Sequence, residues 1–413
     1  MNANRLLERF LRYVQVDTTA REGADKYPSS PGQIDLGGML AQELRLMGAG
    51  EVEHDENGIV TATLPPTAQS AVQTIAFNAH LDTSPETTGA NVRPQVIRNY
   101  QGGDIRLPGD TSKVITVSDN PALKQLLGKT IITTDGTTLL GADDKAGVAV
   151  IMEAAAFLLE HGELPRGRVR ICFTCDEEIG HGVDHVDLAK LGAKVCYTLD
   201  GTGTGEIDTE TFSADLAKIK IHGVNIHPSI AKGKMVNAVR AAADLVARLP
   251  RATCSPETTE GREGFLHPYG IEGGVAEVSL RVLLRDFDTS QLLALEERLR
   301  AAGRATEQAF AGARVEIEII RQYRNMAEGL AREPRAVGYA ERAFANLGRP
   351  SKLTSVRGGT DGSRFTELGL PTPNLSTGEH NPHSPLEWTC LEEMVAAAEL
   401  IVELAQVWGR GGS

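Results

Sequence analysis

The chain is poor in cysteine, short of positive charge and free of long apolar runs, and each absence closes off a class of function. Five cysteines in 413 residues are too few, and odd in number, for a disulfide framework. Cys172 and Cys175 do form a CxxC. They lie in an apolar strand pattern, not ahead of a helix that would lower a thiol pKa, so buried structural thiols are expected in place of redox chemistry. Lys and Arg number 42 against 55 Asp and Glu, a net charge of -13. That balance argues against nucleic acid or an anionic membrane as partner, since both need clustered cations. No apolar run approaches the roughly 20 residues that span a bilayer. The stretch Met1–Phe10 reads as a charged amphipathic helix without the features of a secretory signal, and a cytoplasmic location is expected. There is neither a low-complexity segment nor an internal repeat.

What is present is enough apolar material for a substantial core, with 41% hydrophobic and 23% charged residues. A chain of 413 residues exceeds the size at which one core usually stops growing, so two domains are expected. The first two hundred residues alternate helix and strand patterns: helix at Pro31–Leu46, strands at Gly58–Leu64 and Thr74–Ala79, helix at Ala146–Leu159, then strands at Val169–Cys175 and Val195–Leu199. Near-continuous apolar strands between helices indicate an α/β sheet covered on both faces. From about Thr211 the style changes. Strand Leu216–Ile221, helix Lys234–Leu249, strand Val275–Leu284, helix Leu292–Ala309 and strand Val315–Ile320 give a β-α-β-α-β order, before a return to helix at Pro334–Leu347. This predicts an α+β domain over 212–325, inserted into a catalytic domain made of 1–211 and 326–413, because the last segment carries chemistry that must rejoin the first.

That chemistry lies in five segments where strands end. Asn78-Ala79-His80-Leu81-Asp82 places His80 and Asp82 at period-2 spacing, where the carboxylate can fix the tautomer of a ligating imidazole. Leu140-Gly141-Ala142-Asp143-Asp144 precedes a helix; either acid could cap it, but consecutive acids in a tight turn also let one carboxylate bridge two cations. Asp176-Glu177-Glu178 follows an apolar strand, and two adjacent carboxylates there can divide labour, one on a metal and one on a proton. Asp200 ends another strand, and Glu379-His380-Asn381-Pro382-His383 offers two candidate imidazoles. An isolated acidic triplet is usually a solvated turn. Together the segments supply the two His and three carboxylates of a two-metal site without thiolate, a set suited to zinc, cobalt or manganese.

These motifs, His80-Leu81-Asp82, Gly141-Ala142-Asp143-Asp144-Lys145, Asp176-Glu177-Glu178, Leu199-Asp200-Gly201 and the late His383, resemble the ordered motifs of the co-catalytic dizinc aminoacylase and carboxypeptidase G2 superfamily, the M20 metallopeptidases. The match is fullest to its tripeptide-aminopeptidase branch, through Asp200-Gly201-Thr202-Gly203-Thr204-Gly205-Glu206, His227-Pro228, Met235-Val236-Asn237-Ala238, Arg285-Asp286-Phe287-Asp288 and Arg357-Gly358-Gly359-Thr360-Asp361-Gly362. The resemblance implies a three-layer α/β/α zinc-peptidase domain with an inserted α+β lid of the dimerisation type. It implies two divalent ions, taken as Zn2+, with Asp143 bridging, His80 and Asp200 completing one site, and Glu178 and His383 the other. Glu177 would be the general base and Asp82 would orient His80. His227 would hold the scissile carbonyl oxygen and Arg285 the peptide's C-terminal carboxylate, with Asn237, Arg357 and Gly359 as further substrate contacts. His383 is preferred to His380 because its spacing from Asn381 and to Glu387 matches the family pattern. The implied reaction is release of the N-terminal residue from tripeptides, with a dipeptidase, carboxypeptidase or N-acyl amino acid deacylase as the alternative; small peptides are the implied partners and a homodimer is compatible. The glycine-rich Gly201–Gly205 stretch precedes Glu206-Ile207-Asp208 and no helix, which argues against dinucleotide binding. His222 and His267 have no partner visible in the sequence.

Overall fold

A computed structural model describes residues 1–68 and 72–411 and divides the chain into two compact units. The first comprises Met1–Thr209, Glu328–Thr354 and Thr360–Ser413; the second comprises Glu210–Ala327 and Ser355–Gly359. Ser355–Gly359, expected in the catalytic domain, thus packs with the inserted segment.

Four parallel strands form the middle of the large sheet of the first unit: β1 (Ile75–His80), β2 (Val169–Thr174), β3 (Val195–Thr202) and β4 (Asn374–His380), in spatial order β2-β1-β3-β4. Antiparallel strands extend it on both sides, Val60–Leu64 beside β2 and Trp388–Cys390 beside β4. Every residue of β1 and β2 is buried, as near-continuous apolar runs require when both faces are covered. The helices around this sheet include α1 (Ala3–Tyr13), α2 (Pro31–Met47), α3 (Ala142–Glu160), α4 (Arg335–Asn346), α5 (Asp361–Glu367) and α6 (Leu391–Gly409). On one face Tyr197 ties the layers together, donating to Ala336 O of α4 and accepting from Trp408 Nε1 of α6. On the other, Ala76, Cys172 and Cys196 pack against Phe365 of α5 and Leu191. All five cysteines are buried free thiols.

The approach of α3 to β3 depends on Gly147, where a Cβ would lie 2.0 Å from Leu199 O. Because a Cβ cannot sit that close to a backbone carbonyl oxygen, only glycine lets the N-terminal turn of α3 meet the end of β3. A buried ion-pair cluster fastens α1 to the same helix: Glu153, with no exposed surface, accepts from Arg5 Nε at 2.7 Å and Arg9 Nη1 at 2.9 Å. Glu153→Ala would leave two partly buried guanidiniums without this partner. A loss of about 3 kcal/mol in unfolding free energy is expected, read as a lower urea midpoint at unchanged m.

In the second unit, Ser213–His222, Phe265–Gly273, Glu277–Asp286 and Arg314–Tyr323 form an antiparallel sheet in which Phe265–Gly273 and Arg314–Tyr323 are the edges. Helices Ala238–Arg248 and Gln291–Ala309 cover one face through Leu245, Leu295 and Leu299. The order is β-α-β-β-α-β, which corrects the expected β-α-β-α-β. The unforeseen strand carries Pro268, Gly270 and Gly273, residues that weaken a strand signal but suit an edge, and its register shifts between Pro268 and Gly270. The first helix starts at Ala238, not Lys234, because Asn237 caps it. No helix among the described residues is long and apolar enough to cross a membrane.

Candidate metal centre

The C-terminal ends of the four parallel strands carry the chemistry, where open α/β sheets generally bind ligands. His80 is the last residue of β1 and is 2% exposed. Its Nδ1 lies 3.1 Å from Asp82 O and 3.4 Å from Asp82 Oδ1, and its Nε2 lies 3.0 Å from Asp143 Oδ1 and 3.8 Å from Asp200 Oδ1. The other Asp143 oxygen is 3.2 Å from His383 Nε2, which also meets Glu178 Oε2 at 2.9 Å. Asp143 is therefore reached from both sides by imidazole. Donor atoms of His80, Asp143 and Asp200 form one group within 4.8 Å, and those of Asp143, Glu178 and His383 another.

Divalent ions fit this set. Ligand bonds of about 2.0–2.2 Å place neighbouring donors of one tetrahedral ion roughly 3.5 Å apart, close to the 2.9–3.8 Å seen here. Glu178 Oε1 is buried without a hydrogen-bond partner, which a cation would satisfy. The charge distribution makes the same demand. Burial, then Asp143, pushes the Glu178 carboxyl up to about 7 against the opposing pull of His383. Burial raises Glu177 well above the usual carboxylate range, with Asp361 and Glu178 adding to it and His80 opposing, and burial with Asp143 does the same to Asp200. His383 moves the other way from an ordinary buried imidazole: burial lowers its pKa, but Asp143 and Glu178 outweigh that and push it up to about 12. Asp143, between two imidazoles, is held low despite its burial.

Asp82 does more than orient His80. Its two oxygens accept from the backbone N–H of Glu177 and of Glu178, each at 3.0 Å, and so fix the turn that presents both carboxylates. Asp176, the first acid of the triplet, faces away from this chemistry and is bonded to Ser29 and Gln33. His380 stacks on Trp388 with ring centroids 3.7 Å apart and bonds Glu393 at 2.9 Å, so it does not join the ligand groups.

The five expected substrate residues all belong to the second unit. His227 is exposed and bonds Ser229. Asn237 Oδ1 caps a helix by accepting from Val239 N and Arg240 N. Arg285 has a buried Nε without a partner and a long contact of 3.5 Å from Nη1 to Arg357 O. Arg357 donates to Thr259, Gly261 and Glu263 and lies over the Phe212 ring, so its guanidinium is occupied in holding that loop. At Gly359 a Cβ would lie 2.4 Å from the Tyr323 ring, so close packing already accounts for the glycine.

The family model for peptidase family M20/M25/M40 matches residues 135–407. A relative from Geobacillus sp. (strain WCH70), named peptidase T, is 46% identical over 405 residues, covering 98% of each chain. The chain belongs to peptidase family M20/M25/M40. A second peptidase T, from Bacillus subtilis (strain 168), is 44% identical over 401 residues, covering 97% of this chain and 98% of its own. Among solved structures, aminopeptidase PepT from Bacillus cereus ATCC 10987 superposes with a TM-score of 0.74 at 26% identity over 99% of each chain. The Bacillus subtilis YXEP protein, described as a dinuclear metal-binding peptidase of the M20 family, superposes with a TM-score of 0.65 at 15% identity, over 99% of this chain and 98% of its own.

In this M20 peptidase the structure also gives roles to acids for which the sequence reading assigned none at the site. Glu387 accepts from the N–H groups of Leu140, Gly141 and Asp143 and so holds the loop that carries Asp143. Asp144, across a cis peptide from Asp143, accepts from His80 N at 2.9 Å. Glu379 forms a third acidic group with Asp144 and Asp200, and Glu86 lies 3.3 Å from the second ring nitrogen of His383. Glu387 entered the sequence reading only as a spacing marker for His383, and Glu379, beside His380, could have been found there; Glu86 left no signal beyond its nearness to His80.

Proposed function

We propose that the chain is a metal-dependent aminopeptidase that releases the N-terminal residue of short peptides, tripeptides above all. The observation that carries the hydrolytic reading is Asp143 set between His80 and His383, with Asp200 and Glu178 completing two donor groups. The substrate class rests on full-length relatives named peptidase T. Asp143 would be shared by the two ions, with His80 and Asp200 holding one and Glu178 and His383 the other. Zinc is the proposed metal, on the mixture of imidazole and carboxylate donors. When bound, two such ions polarise a scissile carbonyl and lower the pKa of water.

The remaining work falls to the chain. Glu177 belongs to neither donor group, and burial has raised its proton affinity; it takes the proton from the attacking water and passes it to the leaving amine. Asp82 keeps Glu177 and Glu178 on one rigid turn and fixes the His80 ring. Arg285, a partly buried guanidinium with a free Nε, is assigned to the substrate's C-terminal carboxylate and His227 to the carbonyl oxygen, while Asn237, Arg357 and Gly359 shape the loops around them.

Tripeptides, dipeptides and N-acetylated amino acids assayed side by side are expected to give the highest kcat/KM on tripeptides. Arg285→Met should cost 10- to 100-fold in kcat/KM on a free tripeptide and much less on its C-terminal amide, in line with about 1.5–3 kcal/mol for a charge-assisted hydrogen bond. Fast turnover of acetylated amino acids with inert tripeptides would overturn the assignment.

A further inference from the structure

We infer that Gln33, acting through Asp176, is a positioning residue for the general base Glu177. The inference rests on the reading of Glu177 given above, and its geometry lies outside the donor groups. The turn that follows β2 has three consecutive backbone N–H groups, of residues 176, 177 and 178, and each is bonded to a side chain. Asp82 takes the second and third. Gln33 Oε1 takes the first, from Asp176 N at 3.0 Å. The same amide then closes a ring, with Gln33 Nε2 donating to Asp176 Oδ1 at 2.7 Å. Ser29 adds its backbone N–H to Asp176 Oδ2 at 2.6 Å and its hydroxyl to Oδ1. Tyr27 Oη donates to Cys175 O at 2.9 Å.

This amounts to more than satisfying buried polar groups. Asp176 has φ of +60°, in the left-handed region that is sparsely populated even for Asp, one of the L residues that reach it most readily. A residue in that state persists only when its surroundings fix it. Gln33 has no exposed surface and Asp176 is 1% exposed, so no water competes for these bonds. Gln33 lies within α2, two residues after Pro31, and Gly32 is forced to be glycine because a Cβ there would lie 1.8 Å from Asp17 O. The helix start is thus set against the N-terminal segment, and its first turn grips the residue before the base. Asp82 and Gln33 hold the turn from two different parts of the chain. Releasing one of them would leave Glu178 with its imidazole partner while Glu177, which has no such anchor, loses direction. A shift of about 1 Å in a reacting group can cost on the order of 10²-fold in rate.

Gln33→Leu removes the grip at similar volume. On the best peptide substrate, kcat is expected to fall about 10- to 100-fold with KM within about threefold of wild type and with metal content per chain unchanged. The polarity-reversed pair Gln33→Glu with Asp176→Asn restores a donor on residue 176 facing an acceptor on residue 33, and should recover most of the loss that each single change causes. Unchanged kcat in Gln33→Leu, or loss of metal with loss of activity, would overturn the positioning role, the second outcome assigning Gln33 to ligand support. No recovery in a folded, metal-loaded double variant would overturn it as well. Wild type serves as the separate control: if it cleaves dipeptides or N-acyl amino acids and no tripeptide, the substrate reading fails, while the same kcat comparison on the substrate it does cleave still decides the role of Gln33.

Discussion

Glu177→Gln is expected to lower kcat by about 10²- to 10⁴-fold, the range that a positioned general acid–base group contributes, with KM within a few-fold of wild type and metal content unchanged. The expectation follows from where the two adjacent acids stand. Glu178 meets His383 at 2.9 Å and shares a donor group with Asp143, so removing its charge would disturb the ion. Glu177 belongs to no donor group, and the bond that places it runs from its backbone N–H to Asp82, which an amide side chain leaves intact. Glutamine keeps the shape and removes the ability to take a proton, so the loss should appear in kcat and kcat/KM together, the pattern of an interaction made on the way to the transition state. Glu178→Gln is the matched contrast: it should lose metal affinity first. Single-turnover assays with metal analysis on both variants separate the two roles. Activity within tenfold of wild type in metal-loaded Glu177→Gln would remove Glu177 as the base.

The contrast between the neighbours also marks how far the sequence could be read. Strand ends are legible because the apolar runs of β1, β2 and β3 close within a residue or two on His or acid, and a parallel sheet places all such ends on one side. The ligand inventory followed from that pattern. What holds the candidate ligands did not, because it depends on contacts without local pattern. Glu387 reaches back 244 to 247 residues to the loop of Asp143, and Gln33 meets Asp176 across 143. Residues 176–178 looked like one acidic triplet, yet Asp176 is structural, Glu177 half-buried and apart from the donor groups, and Glu178 part of one of them. The edge strand Phe265–Gly273 was lost for the reason that makes it an edge: Pro268 and its glycines interrupt the alternation on which a strand reading depends.

Removing the divalent ions is expected to abolish turnover and to leave a protein whose stability falls as pH rises from about 5 to about 8. In the metal-free protein the Glu178 carboxyl is pushed up from 4.5 to about 7, first by burial and then by Asp143. Between those values the folded chain keeps a proton that the unfolded chain has lost. Folding then takes up protons, so stability declines with pH across that window. His383, raised from 6.5 to about 12 as Asp143 and Glu178 outweigh its burial, acts in the same direction. The stability from its ion pairs is complete below pH 6.5 and drains away above it. Asp143 is lowered from 3.8, so its contribution is lost only in stronger acid and is constant across the window. The two slopes have the same sign and follow one another, Glu178 up to about pH 7 and His383 above 6.5, so the decline is continuous. Ligation needs these donors without protons, so metal uptake should release protons and tighten with pH, and each ion at about 1,000 times its dissociation constant would stabilise the fold by about 4 kcal/mol. Thermal melts of chelator-treated and reconstituted protein at pH 5.5, 6.5 and 7.5 test this: the two Tm values should separate as pH rises, through a fall in the metal-free one. Parallel curves would mean that Glu178 and His383 do not meet the ions, and the proposed division of labour between Glu177 and Glu178 would fail with them.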